Sequence, residues 1–375
     1  MTVDTSSRTE PAERPALRSC LQRCRVGAVE VVTLDGRVHL ALDPDESLIL
    51  DDLDGNHSPA ELEHLHGPTT RDLLDDLDEV GLLVGSTPHE EPAVEISAAG
   101  VEFAGFDRVV ACLDRFGGAA LASPWFLTVA AVALIAGPIA FTASSPSPAL
   151  SGSVTLAVLV VWELVAIFCH ELAHGMVLHR SGRRVGRAGF GMHWGAISFF
   201  VDATDALFLP RRTRIIQALA GPAADAAIAG ALAIAAAVLA PSPASGLLAQ
   251  MAVMGWIGAL INLSPVLELD GQHVLADVFD TPDLHRRSLD ALRGLRSKHR
   301  RADLALALYA LVALAIGSAA IAAAALLWTT VYLEVIGTAW NEGLVGKAAT
   351  LVFVGPTIAG ITATALHRLR PHPRR

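Results

Sequence analysis

The chain has 375 residues, 52% of them hydrophobic and 18% charged, and a formal net charge of -10. That apolarity excludes a disordered chain or a uniform soluble domain, and the acidic balance argues against a nucleic-acid surface, which needs basic side chains to neutralise phosphates. Cys20, Cys24, Cys112 and Cys169 form neither a C-x-x-C pair nor a disulfide framework and read as free cytosolic thiols.

Residues 1–15, rich in Thr, Ser, Glu and Pro, predict a disordered tail. The first twenty residues contain no apolar h-region, so no cleavable signal peptide is expected and the N-terminus is placed in the cytoplasm. Residues 16–86 predict a small acidic α+β domain of winged-helix-like shape. Strands at 29–34 and 38–42 flank Asp35-Gly36, a dipeptide suited to a tight hairpin turn. Helices follow at 44–53, 58–66 and 70–80, the second opened by a Ser58/Glu61 capping box and the third stopped by Gly81. An acidic module with an exposed strand edge beside a helix suits an extended peptide better than DNA. Residues 87–106 read as a linker, and Phe106 to Phe116 as a segment lying along the membrane surface.

Residues 107–375 predict a polytopic helical membrane domain, so the chain as a whole is mainly α. Six apolar runs, near 120–142, 153–178, 214–240, 246–266, 303–328 and 343–366, are each long enough to cross about 30 Å of hydrocarbon. Arginines crowd the connections between runs two and three (Arg180 to Arg214), between four and five (Arg286 to Arg301) and after the last (Arg368 to Arg375). The other connections, 143–152, 241–246 and 329–342, carry no Lys or Arg, and the last holds Tyr332 and Trp340 as expected interface anchors. The bias places both termini in the cytoplasm.

His170-Glu171-Leu172-Ala173-His174 closes the second apolar run. On a helix His170 and His174 share a face, so both imidazoles can hold one metal ion with Glu171 beside it, the apparatus of a zinc hydrolase. Catalytic zinc takes three protein ligands and leaves a place for water, so a third ligand must come from elsewhere. Asp270 is the candidate, in Asn262-Leu263-Ser264-Pro265-Val266-Leu267-Glu268-Leu269-Asp270-Gly271, where Pro265 opens the end of the fourth run. Glu163, seven residues before His170, either faces a polar interior as a ligand-orienting or water-path group or is solvated near the outer interface. His193 lies in a Gly-rich loop and reads as a surface residue rather than a further ligand. Residues 185–201 predict a hairpin or re-entrant segment beside the site, whose edge can hold a substrate extended.

The two motifs together resemble the site-2 protease family of intramembrane zinc metalloproteases, with HExxH on one membrane helix and NxxPxxxLDG on a later one. Within it the chain looks like the peptide zinc metalloproteases of bacteria over about residues 107–290, including Phe200 to Asp205, Ala220-Gly221-Pro222 and Leu269 to Leu275. Leu267 stands where many site-2 proteases have a second proline. Residues 17–84 are also similar to the peptide chaperones of pyrroloquinoline quinone biosynthesis, which bind leader peptides.

The resemblance implies a multipass inner-membrane endopeptidase that cleaves a peptide or membrane-anchored protein near the cytoplasmic face. It implies Zn2+ on His170, His174 and Asp270, and Glu171 as general base and then acid. Asn262 either hydrogen-bonds the oxyanion or substrate backbone or caps a helix end near Pro265. The competing class is a non-proteolytic membrane component that binds or exports a ribosomally made peptide.

Overall fold

The computed structural model describes residues 14–26, 29–34, 38–86, 94–97, 100–121, 123–143, 152–193, 196–267, 269–281, 284–294 and 301–369. By compactness the chain divides into two units. One is Met1–Ala93 with Thr204–Phe208, and the other is Val94–Ala203 with Leu209–Arg375.

The first unit is a small α+β domain. Strands β1 (Leu21–Val26), β2 (Val29–Leu34) and β3 (Val38–Leu42) form an antiparallel sheet in that order, with Val32 opposite Arg23 on one side and Leu40 on the other. The sequence predicts only β2 and β3. Strand β1 alternates weakly because Gln22, Arg23 and Arg25 interrupt its apolar residues. The expected turn at Asp35-Gly36 lies outside the described residues.

Helices α1 (Pro44–Asp51), α2 (Pro59–His66) and α3 (Thr69–Glu79) fall where the sequence places them. The expected capping box is made: Glu61 N–H donates to Ser58 Oγ at 3.3 Å, and Ser58 N–H to Glu61 Oε2 at 2.8 Å. Gly81 ends α3 with φ of 75°, a left-handed conformation that costs glycine nothing. One face of each element meets in a core of Val32, Leu42, Ile49, Leu50, Leu53, Leu62, Leu73, Leu74 and Leu77.

The second unit opens with two strands where a linker is expected, a correction to the 87–106 assignment. Strands β4 (Val94–Ser97) and β5 (Gly100–Phe103) pair with each other and then with β6 (Ala188–His193) and β7 (Ala196–Val201), in the sheet order β4-β5-β6-β7. Val94, Ile96, Val101 and Phe103 alternate with polar residues, the period of a strand. Glu95 and Glu102 sit directly opposite one another, and Arg187 lies 3.8 Å and 3.2 Å from their carboxylates. That arginine relieves the like-charge pair that makes the segment look like polar linker.

Helix α4 (Phe106–Leu113) turns Phe106 and Val110 to protein, while Val109, and Phe116 beyond its end, stay exposed. Phe106 is buried, its ring 5.5 Å from that of Phe199 and 6.1 Å from that of Phe168. A π-helical turn, Asp114–Gly118, and a single turn α5 (Ala119–Leu121) lead into the long helices.

These are α6 (Pro124–Ala143), α7 (Gly152–Arg180), α8 (Arg211–Val238), α9 (Pro243–Asn262), α12 (Arg301–Trp340) and α13 (Leu344–Leu369), with the shorter α10 (Asp270–Val278) and α11 (Leu284–Gly294) between α9 and α12. Among the described residues, the first five of the long set are long and apolar enough to cross a membrane. The sixth predicted span falls on α13, whose described apolar stretch is Leu344–Gly355.

Small residues let these helices approach closely: a methyl group on Gly230 would run into Ala133 of α6. Tyr332 is not an interface anchor. Helix α12 continues through it to Trp340, and Tyr332 is fully buried with Leu159, Val253 and Trp256, its hydroxyl donating to the Gln250 carbonyl at 2.7 Å. A buried Tyr needs a partner for its O–H, and the α9 backbone provides one.

Candidate metal centre

The end of α7 next to Arg180 carries His170, Glu171 and His174, and α10 begins with Asp270. Glycine follows Asp270 for a steric reason: a side chain at Gly271 would collide with the Leu263 backbone just past the end of α9. The α9–α10 connection therefore folds tightly enough to bring a carboxylate, 100 residues away in sequence, to His170.

His170, His174 and Asp270 offer donor atoms close enough to hold one metal ion, and the two imidazoles are buried. His170 Nε2 lies 3.2 Å from His174 Nε2 and 3.1 Å from Asp270 Oδ2, and His174 Nε2 lies 3.4 Å from Asp270 Oδ1. Ligand atoms about 2.0 Å from a tetrahedral ion are about 3.3 Å apart, so these separations fit one small cation.

Proton placement supports the fit. His174 Nδ1 is 2.7 Å from the Gln217 carbonyl oxygen, which only accepts, so Nδ1 carries the proton and Nε2 presents a lone pair. His170 Nδ1 donates to Asp225 Oδ2 at 2.8 Å, leaving its Nε2 in the same state. Two lone pairs and a carboxylate thus converge, an arrangement that repels itself unless a cation sits among them. A methyl group on Gly221 of α8 would overlap both Nε2 atoms, so glycine keeps the space between the donors open.

Glu171 points to the hairpin. Its Oε2 accepts a hydrogen bond from Val201 N–H at 3.2 Å, and Val201 ends β7, an edge strand of the four-stranded sheet. The hairpin predicted at 185–201 is therefore present and touches the motif. Phe199 of β7 lies against Phe168 of α7, ring centroids 5.3 Å apart, which fixes the sheet to the helix that carries the two imidazoles, two residues before His170.

Among the described residues, no hydrogen bond joins the remaining predicted residues to the donors. Asn262 ends α9, half-buried, and among the described residues its amide makes no hydrogen bond to His170, Glu171, His174 or Asp270. Glu163 is half-buried on α7, and His193 ends β6 with its side chain outside the described residues.

Sequence reasoning placed α8 as a span at 214–240 but missed its part in the site. Gln217, Gly221 and Asp225 stand four apart on one face and meet His174, both histidines and His170 in turn. The available signal was Asp225 itself, the only ionisable side chain between Arg214 and Glu268. Comparison with models of protein families, with curated proteins and with solved structures finds no match to this chain.

Proposed function

We propose that the chain is a membrane zinc endopeptidase, and that it hydrolyses a peptide or membrane-anchored protein near the cytoplasmic face. The observation that carries the reading is the convergence of His170 Nε2, His174 Nε2 and Asp270 on one point, with Glu171 next in sequence to the first and hydrogen-bonded to a strand edge. The residues present suit zinc: two imidazoles and one carboxylate, the three protein donors of a catalytic site. When bound, zinc supplies a Lewis acid at that point.

The protein's own groups do the rest. Glu171 takes a proton from the attacking water and returns it to the departing amine as the carbonyl carbon gains oxygen and loses nitrogen. The bond from Val201 keeps the Glu171 carboxylate beside β7. A substrate added as a further strand on that edge is extended, with its carbonyls released from helical hydrogen bonds and available for attack. The acidic domain of residues 16–86 serves as a capture module for the peptide, raising its local concentration. The Arg-rich connections support an orientation with the site and both termini on the cytoplasmic side of a bacterial inner membrane.

Metal content and turnover test this together. His170→Ala should lose the metal, whereas Glu171→Gln should keep one zinc per chain and lose at least about 100-fold in kcat. Undiminished proteolysis by Glu171→Gln would end the mechanism. An unaltered chain that binds no zinc would end the class.

A further inference from the structure

We infer that Asp225 is the positioning residue of the metal centre, holding the His170 ring so that Nε2 meets the ion and balancing the ion's charge; the inference rests on the zinc reading above. Asp225 lies within α8, in an alanine-rich run, and is 8% exposed. A carboxylate at such depth is costly unless it meets a polar partner, and its partner here is His170 Nδ1 at 2.8 Å. The companion ring is held differently, since His174 Nδ1 donates to the neutral carbonyl of Gln217.

Helix α8 therefore acts as a template. Its positions 217 and 225 are two turns apart and hold the Nδ1 atoms of residues 174 and 170, with Gly221 between them leaving the Nε2 side open. A backbone carbonyl orients a ring equally well, so the carboxylate at 225 adds something besides orientation. That addition is charge. A dication held by neutral histidines and Asp270 leaves the ligand set itself one positive charge in excess in a buried site, and Asp225 offsets that charge without drawing on Glu171. It also makes the His170 ring a better donor of its lone pair, as a carboxylate behind a ligating histidine does.

The test is zinc affinity of the full-length protein in detergent, by competition with a chelating dye, for the unaltered chain, Asp225→Asn and Asp225→Leu. Asp225→Leu should weaken binding about 10- to 100-fold. Asp225→Asn keeps an acceptor for Nδ1 but no charge, and should fall between Asp225→Leu and the unaltered chain. Visible spectra of the cobalt(II)-loaded proteins should shift in Asp225→Leu, because the ring is no longer held. Melting temperatures of the metal-free proteins should stay level or rise, since a buried carboxylate has been removed.

Zinc binding by the unaltered chain with equal affinity in both variants would overturn the role of Asp225 and leave the zinc reading standing. An equal loss of affinity in both variants, accompanied by a lower melting temperature without metal, would make Asp225 merely structural and also overturn it. No zinc binding by the unaltered chain would remove the zinc reading and this inference together.

Discussion

Arg23 grips Glu30 with two hydrogen bonds, 2.7 Å to Oε1 and 3.0 Å to Oε2, and the Ser47 hydroxyl donates to the same carboxylate. The bonds from Arg23 outweigh the effect of burial, the Ser47 bond adds to them, and the Glu30 carboxyl is held below its usual value. A carboxyl whose value is lower folded than unfolded adds stability that is present above the unfolded value and lost as pH falls through the folded one. Glu30→Gln should therefore lower the calorimetric unfolding temperature at neutral pH, with the gap closing as pH falls from the usual carboxyl value of about 4.3 through the lower folded one, below which the unaltered carboxyl is also neutral. A gap that persists in acid would mean that the amide acts through packing rather than through charge. The same scale explains Gly221, where the requirement is for the absence of a side chain between two imidazoles.

Helix α10 is short, yet it must place Asp270 to within a fraction of an ångström. It is pinned at both ends. At its start Gly271 lies against the Leu263 backbone. At its end Arg211 donates to the carbonyls of Asp277 and Val278, and Arg214 binds the Asp277 carboxylate, Nε at 2.8 Å and Nη2 at 2.5 Å. Cations at a helix C-terminus satisfy its free carbonyls and complement its dipole. Both arginines belong to the first turn of α8, so one helix seats the histidines and ties down the helix that carries Asp270, the third candidate ligand. Arg214→Ala should destabilise this contact by about 1–3 kcal/mol. Hydrogen exchange should quicken in 270–278 while α7 stays protected, and exchange unchanged in α10 would show that Arg211 alone suffices.

At the scale of the whole molecule, the described residues include five helices long and apolar enough to span a bilayer, and they alternate with connections of unequal charge. The proposed orientation puts α11 inside the cell and the turn after α12 outside. Arg287 and Asn341 are both exposed, which makes them fair reporters. In a chain otherwise free of cysteine, Asn341→Cys should react with an impermeant maleimide on intact cells, and Arg287→Cys only after permeabilisation. The reverse pattern would invert the topology and place the metal centre on the outer face. The same count of helices explains the core, where Gly and Ala let backbones pack where lipid provides no hydrophobic drive between them.

The sequence by itself determined the elements whose signals repeat within a turn or a strand: the apolar helices, the Ser58/Glu61 cap, a hairpin or re-entrant segment within 185–201 and the shared face of His170 and His174. It also marked Asp270, because a Pro and a Gly bracket the bend that frees it. The tertiary structure alone decided the partners. Asp225 meets His170 across 55 positions and the Gln217 carbonyl meets His174 across 43; neither pairing has a local period to reveal it. The strands at 94–103 were hidden in the same way, since Glu95 and Glu102 look solvated until Arg187 is brought beside them. Tyr332 looked like an interface residue until the α9 backbone supplied its acceptor. Periodicity records which face of an element is apolar; which polar group that face will meet depends on how distant segments close on one another, and no short window of sequence contains it.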